Sequence, residues 1–118
     1  MKIRRVCRAK RGRSNGAMIR SREEQLRSEA WIGDAVLGLY ARWRILRQDG
    51  RIDAEKCHRL TSNQFLSAFG EPTAVEAAIG RVYEQQGLDA AFAHIEALLV
   101  PAFEKREEKL AQKPPRGR

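Results

Sequence analysis

Glycine and proline cut the middle of this chain into four stretches, and each stretch between the cuts repeats its apolar residues at three and four positions. That period belongs to the α-helix, and the alternation that marks a strand is almost absent, so an all-α fold follows. The first stretch opens at Ser21 with Glu24 three residues on, the pattern of a capping box. It runs to about Arg47 before Asp49 and Gly50 break it. Asp53 can cap a second helix in which Cys57, Leu60, Thr61, Gln64, Phe65, Ala68 and Phe69 share a face up to Gly70. A third starts near Pro72, a residue favoured in a first helical turn, and stops after Gln86 at Gly87. Asp89 is expected to cap the fourth, whose apolar face passes through Pro101; a kink or a restart is expected there, because proline removes a backbone hydrogen bond and clashes with the preceding turn. The expectation is a compact domain of about four to five helices.

With 118 residues there is room for one such domain. Charge marks its edges. Residues 1–20 hold eight Lys or Arg and no acid, and residues 113–118 hold three more, so all 15 acids lie between. We therefore divide the chain into a basic flexible tail at 1–20, a helical domain at 21–106 and a basic C-terminal tail at 107–118. Like charges with few apolar neighbours cannot offset chain entropy by burial. Basic tails commonly meet polyanions through sequence-blind, salt-sensitive phosphate contacts; a tail that only solubilises is the alternative. The candidate phosphate ligands are Arg4, Arg5, Arg8, Lys10, Arg11 and Arg13, with Lys56, Arg59 and Asn63 on the polar face of the second helix.

No apolar run approaches the roughly 20 residues that span a bilayer, which excludes a transmembrane helix. Cys7 and Cys57 point to a reducing compartment and a cytoplasmic protein rather than a disulfide scaffold. With only His58 and His94 besides, no spacing suits zinc. The acid-free start leaves an organelle transit peptide as a minor alternative, and Met18 as an alternative start.

Two acids interrupt the apolar helices. The first helix is apolar nearly all round from Ala30 to Ala41 except at Asp34, and the third carries Glu76 among Val75, Ala77, Ala78 and Ile79. A buried carboxylate is costly unless paired, hydrogen-bonded or bound to a cation. Each acid has a glycine four residues on, Gly38 and Gly80, on the same helix face. Close approach of the two helices would account for both glycines and bring the carboxylates together. Oxygen ligands with open positions suit Mg²⁺; pairing of each acid with a distant arginine, such as Arg42 or Arg81, is the structural alternative.

These residues carry a resemblance. Residues 29–40, centred on Trp31-Ile32-Gly33-Asp34-Ala35, are similar to the signature of the ribonuclease III family, and residues 73–83, opening Thr73-Ala74-Val75-Glu76, are similar to its second motif. Between them residues 60–66 resemble the short helix that joins the motifs, so the similarity spans roughly 21–103. The Trp31-Ile32-Gly33-Asp34-Ala35 and Thr73-Ala74-Val75-Glu76 stretches resemble the compact Mini-ribonuclease III branch more closely. The resemblance implies a homodimer with a cleft for double-stranded or structured RNA, and an endoribonuclease that uses Mg²⁺, with Mn²⁺ as a substitute, held by Asp34 and Glu76. It also marks departures. Two positions acidic in the family's four-acid site are Arg27 and Thr73 here, and the segment between Phe69 and Thr73 is shorter than in either branch. A member that binds RNA or a ribosomal particle without cutting it is the alternative.

Overall fold

The computed structural model describes residues 21–112; the basic stretch 1–20, with Cys7, Met18 and the candidate ligands Arg4, Arg5, Arg8, Lys10, Arg11 and Arg13, lies outside the described residues, as does 113–118. Five helices of eight or more residues and one short turn make up the described chain: α1 (Arg22–Asp49), α2 (Ala54–Thr61), α3 (Asn63–Leu66), α4 (Pro72–Gln86), α5 (Leu88–Leu98) and α6 (Val100–Gln112). The protein is a small all-α domain. No strand occurs among the described residues, and none of their helices is long and apolar enough to cross a membrane.

The ends of α1 follow the local chemistry. Ser21 Oγ accepts from the Glu24 amide and Glu24 answers to the Ser21 amide, closing the capping box. Gly50 takes the left-handed conformation at φ 76° and ends the helix two residues beyond the expected Arg47. Pro72 opens α4, where the Glu71 carboxylate accepts from the Ala74 amide, and Gly87 closes it.

Three expectations need correction. The second helix does not run unbroken to Gly70: Ser62 adopts an extended conformation, and its hydroxyl accepts from the Phe65 amide, starting the separate turn α3. A serine competes for backbone donors and so favours a cap over a helix interior. Asp89 is not a cap, because α5 starts one residue earlier behind Gly87 with no side-chain cap, which leaves Asp89 in the first turn. At Pro101 the expected restart occurs: α5 ends at Leu98, and α6 begins at Val100 with the proline in its first turn, where no amide is needed. That last helix continues to Gln112, through residues expected to belong to the tail.

The core gathers one face of every helix. Leu37, Tyr40 and Ala41 of α1 meet Leu60 of α2, Phe65 and Leu66 of α3, Ile79 of α4, Ile95 of α5 and Phe103 of α6. Tyr40 is fully buried, and its hydroxyl donates to Glu96 at 3.1 Å and accepts from Arg44, which also grips Glu104 at 2.7 Å. A buried phenol must find such partners, and here they tie the middle of α1 to α5 and α6. Burial, ahead of these partners, raises the Tyr40 pKa above its ordinary value.

The first helix is central but not enclosed. Its apolar surface is divided between a core face and an open one, with Trp31 78 %, Leu39 49 % and Leu46 50 % exposed. The remaining helices of so small a domain cover only one side of a 28-residue helix. Asp34 stands on the uncovered side as an exposed residue, so the expectation of a buried aspartate is overturned.

Candidate functional site: a carboxylate pair at a glycine crossing

Helices α1 and α4 cross backbone to backbone. A methyl group placed on Gly33 would collide with the Glu76 carbonyl and come within 2.9 Å of the Gly80 amide nitrogen; one on Gly80 would collide with the Glu29 carbonyl and come within 3.1 Å of the Gly33 nitrogen. The two chains run in opposite directions here, because residue 29 of α1 meets 80 and 81 of α4, whereas 33 meets 76. Glycine is expensive inside a helix, and the contact accounts for its presence at both positions.

This confirms close approach at Gly80 and reassigns its counterpart. Gly38 is not at the crossing: a methyl group there would meet only the end of the Arg42 side chain, at 2.9 Å. Gly33, the residue just before Asp34, takes the role. Gly38 lies five residues on from Gly33, about 140° round the helix, so the four-residue spacing from Asp34 selected a face of α1 that α4 does not cross.

Above the crossing the side chains of Asp34 and Glu76 come together. Glu76 is half-buried, and its carboxyl is pushed up to about 7, first by burial, then by the charge of Asp34, by a hydrogen bond shared with it, and by the charge of Glu71. Protonated Glu76 therefore donates to the Asp34 carboxylate. Two like charges this close disfavour ionising together, so Glu76 keeps its proton to a higher pH than an isolated glutamate does.

No cation answers the pair among the described residues. Arg42 donates to the Gly38 carbonyl at 3.0 Å, and Arg81 is paired with Glu29 at 2.9 Å, so neither arginine offered as a distant partner serves these acids. The Arg81–Glu29 pair instead straps α4 to α1 one turn away. Arg27 lies two turns before Asp34 and is exposed, 3.9 Å from Glu23. Thr73 is half-buried in the first turn of α4, three residues before Glu76.

The remaining candidates sit elsewhere. Lys56 pairs with Asp49 at 3.0 Å, and Arg59 makes a two-pronged contact with Glu107 at 2.8 and 3.0 Å, while Asn63 is exposed. Each of these two cations thus meets an acid of the same fold. His94 is half-buried, with its Nε2 lacking a hydrogen-bond partner.

Sequence reasoning missed two residues of the site. Gly33 was hidden beside Asp34, and the adjacency was the available signal. Glu71 is the other: its N-cap position just before Pro72 holds a further negative charge near Glu76.

A divalent cation suits the pair chemically. Two carboxylates brought together at a partly open position offer hard oxygen donors of the kind Mg²⁺ takes while keeping several waters. No group of three or more acidic, histidine or cysteine side chains able to hold a metal occurs among the described residues, so a cation held here would have at most this pair as side-chain ligands among them. No family model, curated protein or solved structure matches the chain.

Proposed function

We propose that the chain is a ribonuclease III-like, Mg²⁺-dependent endoribonuclease acting on double-stranded or structured RNA. The observation that carries this reading is the meeting of Asp34 and Glu76 across the Gly33–Gly80 crossing with no cationic partner among the described residues. Like-charged groups held together with one pKa raised mark a candidate functional site, and a cation received there would relieve their repulsion. The motif resemblance centres on the same two residues.

In this function Asp34 and Glu76 hold the ion, with Mn²⁺ as a substitute, directly or through water. When bound, such an ion lowers the pKa of a coordinated water and balances charge developing on phosphate oxygens. The protein's own contribution is positional. The glycine crossing fixes the two helices, the Arg81–Glu29 strap sets their register, and Glu76 gives up its proton when positive charge arrives. Arg27 and Thr73 flank the pair where the family has acids. Lys56 and Arg59 are taken up by Asp49 and Glu107, so contact with RNA phosphates, which reads no sequence, falls to the basic residues of 1–20 and to Asn63. The open apolar side of α1, with Trp31 and Leu39, joins two copies into a homodimer that frames the RNA, in a cytoplasmic setting.

A second reading keeps the fold for binding RNA or a ribosomal particle without cutting it. It is favoured by the smallness of the donor set, a pair with no third ligand among the described residues. Incubating a long duplex RNA with the protein in Mg²⁺ and in EDTA separates the two. Cleavage by the wild type in Mg²⁺, absent in EDTA and in Asp34→Asn, is the expected result. Intact RNA in Mg²⁺, from a protein that binds it, would leave the second reading standing.

A further inference from the structure

Away from the carboxylate pair, α2, α3 and α6 enclose an open cleft of about 390 Å³. It lies towards the other end of α1: Arg44 of that helix already touches Glu104 of α6, and the cleft continues past it to residues 106–110. Ten residues of helix separate Asp34 from Arg44, about 15 Å of rise. The cleft is therefore a separate place on the molecule.

Its walls combine cations with an aromatic floor. Phe65 and Phe103 form the floor, edge to face with centroids 5.8 Å apart. The Arg106 guanidinium carbon lies 5.0 Å from the centre of the Phe65 ring, a cation–π contact that holds its charge beside the aromatic floor. Lys109 and His58 line the same cleft. Arg59 is there too, but Glu107 takes up both prongs of its guanidinium, so these two charges cancel. Neither Arg106 nor Lys109 has an acidic partner among the described residues, and the cleft has an excess of positive charge.

We infer that this cleft receives one unpaired nucleotide of an RNA strand, its base stacked on the Arg106 plane and its phosphate on Lys109 and His58. Size points this way: about 390 Å³ matches the lower range of small-ligand clefts and cannot admit a duplex. Chemistry agrees, because single strands are held by stacking on aromatic or guanidinium planes beside positive charge. An acidic peptide would satisfy the charges but brings no ring to stack on the Arg106 guanidinium. The inference rests on the RNA-directed reading for the source of the nucleotide; the cleft's preference for a base joined to a phosphate stands apart from cleavage.

The test uses the full chain and follows the Arg106 side-chain N–H by NMR during titration with uridine monophosphate, inorganic phosphate, a polyglutamate peptide and single-stranded oligouridine. Uridine monophosphate should shift Arg106 at concentrations about tenfold below those at which phosphate does, and oligouridine lower still. Arg106→Lys keeps the charge and removes the plane, so it should bring the two affinities together; Lys109 resonances report on this variant and on Arg106→Ala. Equal response to phosphate and uridine monophosphate, or tighter binding of polyglutamate, would overturn the inference. If the wild type cuts no RNA while the Arg106-dependent preference persists, the cleavage reading fails and the cleft assignment survives. If cleavage proceeds and the preference is absent, the reverse holds.

Discussion

Adding one methyl group at each of three glycines should have opposite effects on stability, depending on which helix face carries it. In an open helix, glycine to alanine stabilises by about 0.5–1 kcal/mol, because glycine loses more chain freedom on folding. At Gly33 and Gly80 the new carbon would occupy the position of a backbone carbonyl on the facing helix and lie 2.9–3.1 Å from a backbone nitrogen. Neither group can swing aside, so α1 and α4 must separate. Overpacking in a closed core costs about 1–3 kcal/mol and more where backbone must move; we expect a loss of about 3 kcal/mol for either variant. Gly38→Ala meets only the tip of Arg42, which gives up an exposed hydrogen bond to the Gly38 carbonyl and moves into water. It should be neutral or stabilise by up to about 0.5 kcal/mol. Urea denaturation followed by helical circular dichroism measures all three. Gly33→Ala and Gly80→Ala proteins as stable as the wild type would refute the crossing, and a large loss at Gly38 would show that α4 crosses elsewhere on the helix.

Stability should also depend on pH through Glu76. Its folded pKa of about 7 lies above the ordinary 4.5, so the folded state keeps a proton that the unfolded state releases, and stability falls as pH rises from about 4.5 to about 7 before levelling. Solvent at the half-buried group screens the effect, leaving about 1–2 kcal/mol; Glu76→Gln should remove this slope in urea titrations at pH 5 and pH 8, and an unchanged slope would show that another group carries it. Trp31→Glu with Leu39→Glu should turn the homodimer into a monomer by sedimentation that keeps its helical circular dichroism, because both side chains are exposed in the single chain; a wild type that is already monomeric at micromolar concentration would count against the dimer. Arg27→Glu with Thr73→Asp should lower the Mg²⁺ concentration for half-maximal cleavage, since it adds negative charge on the approach to the pair; unchanged demand in a folded variant would place these residues outside the site.

The helical class, the capping box at Ser21 and the closure of α4 at Gly87 were legible because each depends on neighbours within a few residues. The break at Ser62 was not, because the apolar period runs through it and only the competition between a cap and a helix interior decides the outcome. Asp34 and Glu76 were visible as acids among apolar residues, and the structure brings them together. Their surroundings were misjudged in one respect. An apolar run such as 30–41 indicates how much surface wants cover, not how much cover the rest of the chain supplies, and so Asp34 was expected to be buried and is exposed. The counterpart of Gly80 depends on where two helices cross, which no spacing within one helix encodes.

The central claim is that the Asp34–Glu76 pair is built to receive a divalent cation. The most direct test is the titration of the Glu76 side-chain carboxyl by carbon NMR, without and with Mg²⁺. Without the ion it should titrate near 7, held there by burial and by Asp34. With millimolar Mg²⁺ the midpoint should fall by at least one unit, because a bound cation favours the ionised carboxylate, and Asp34→Asn should abolish that fall. A Glu76 midpoint that stays in place as Mg²⁺ is added would contradict the claim.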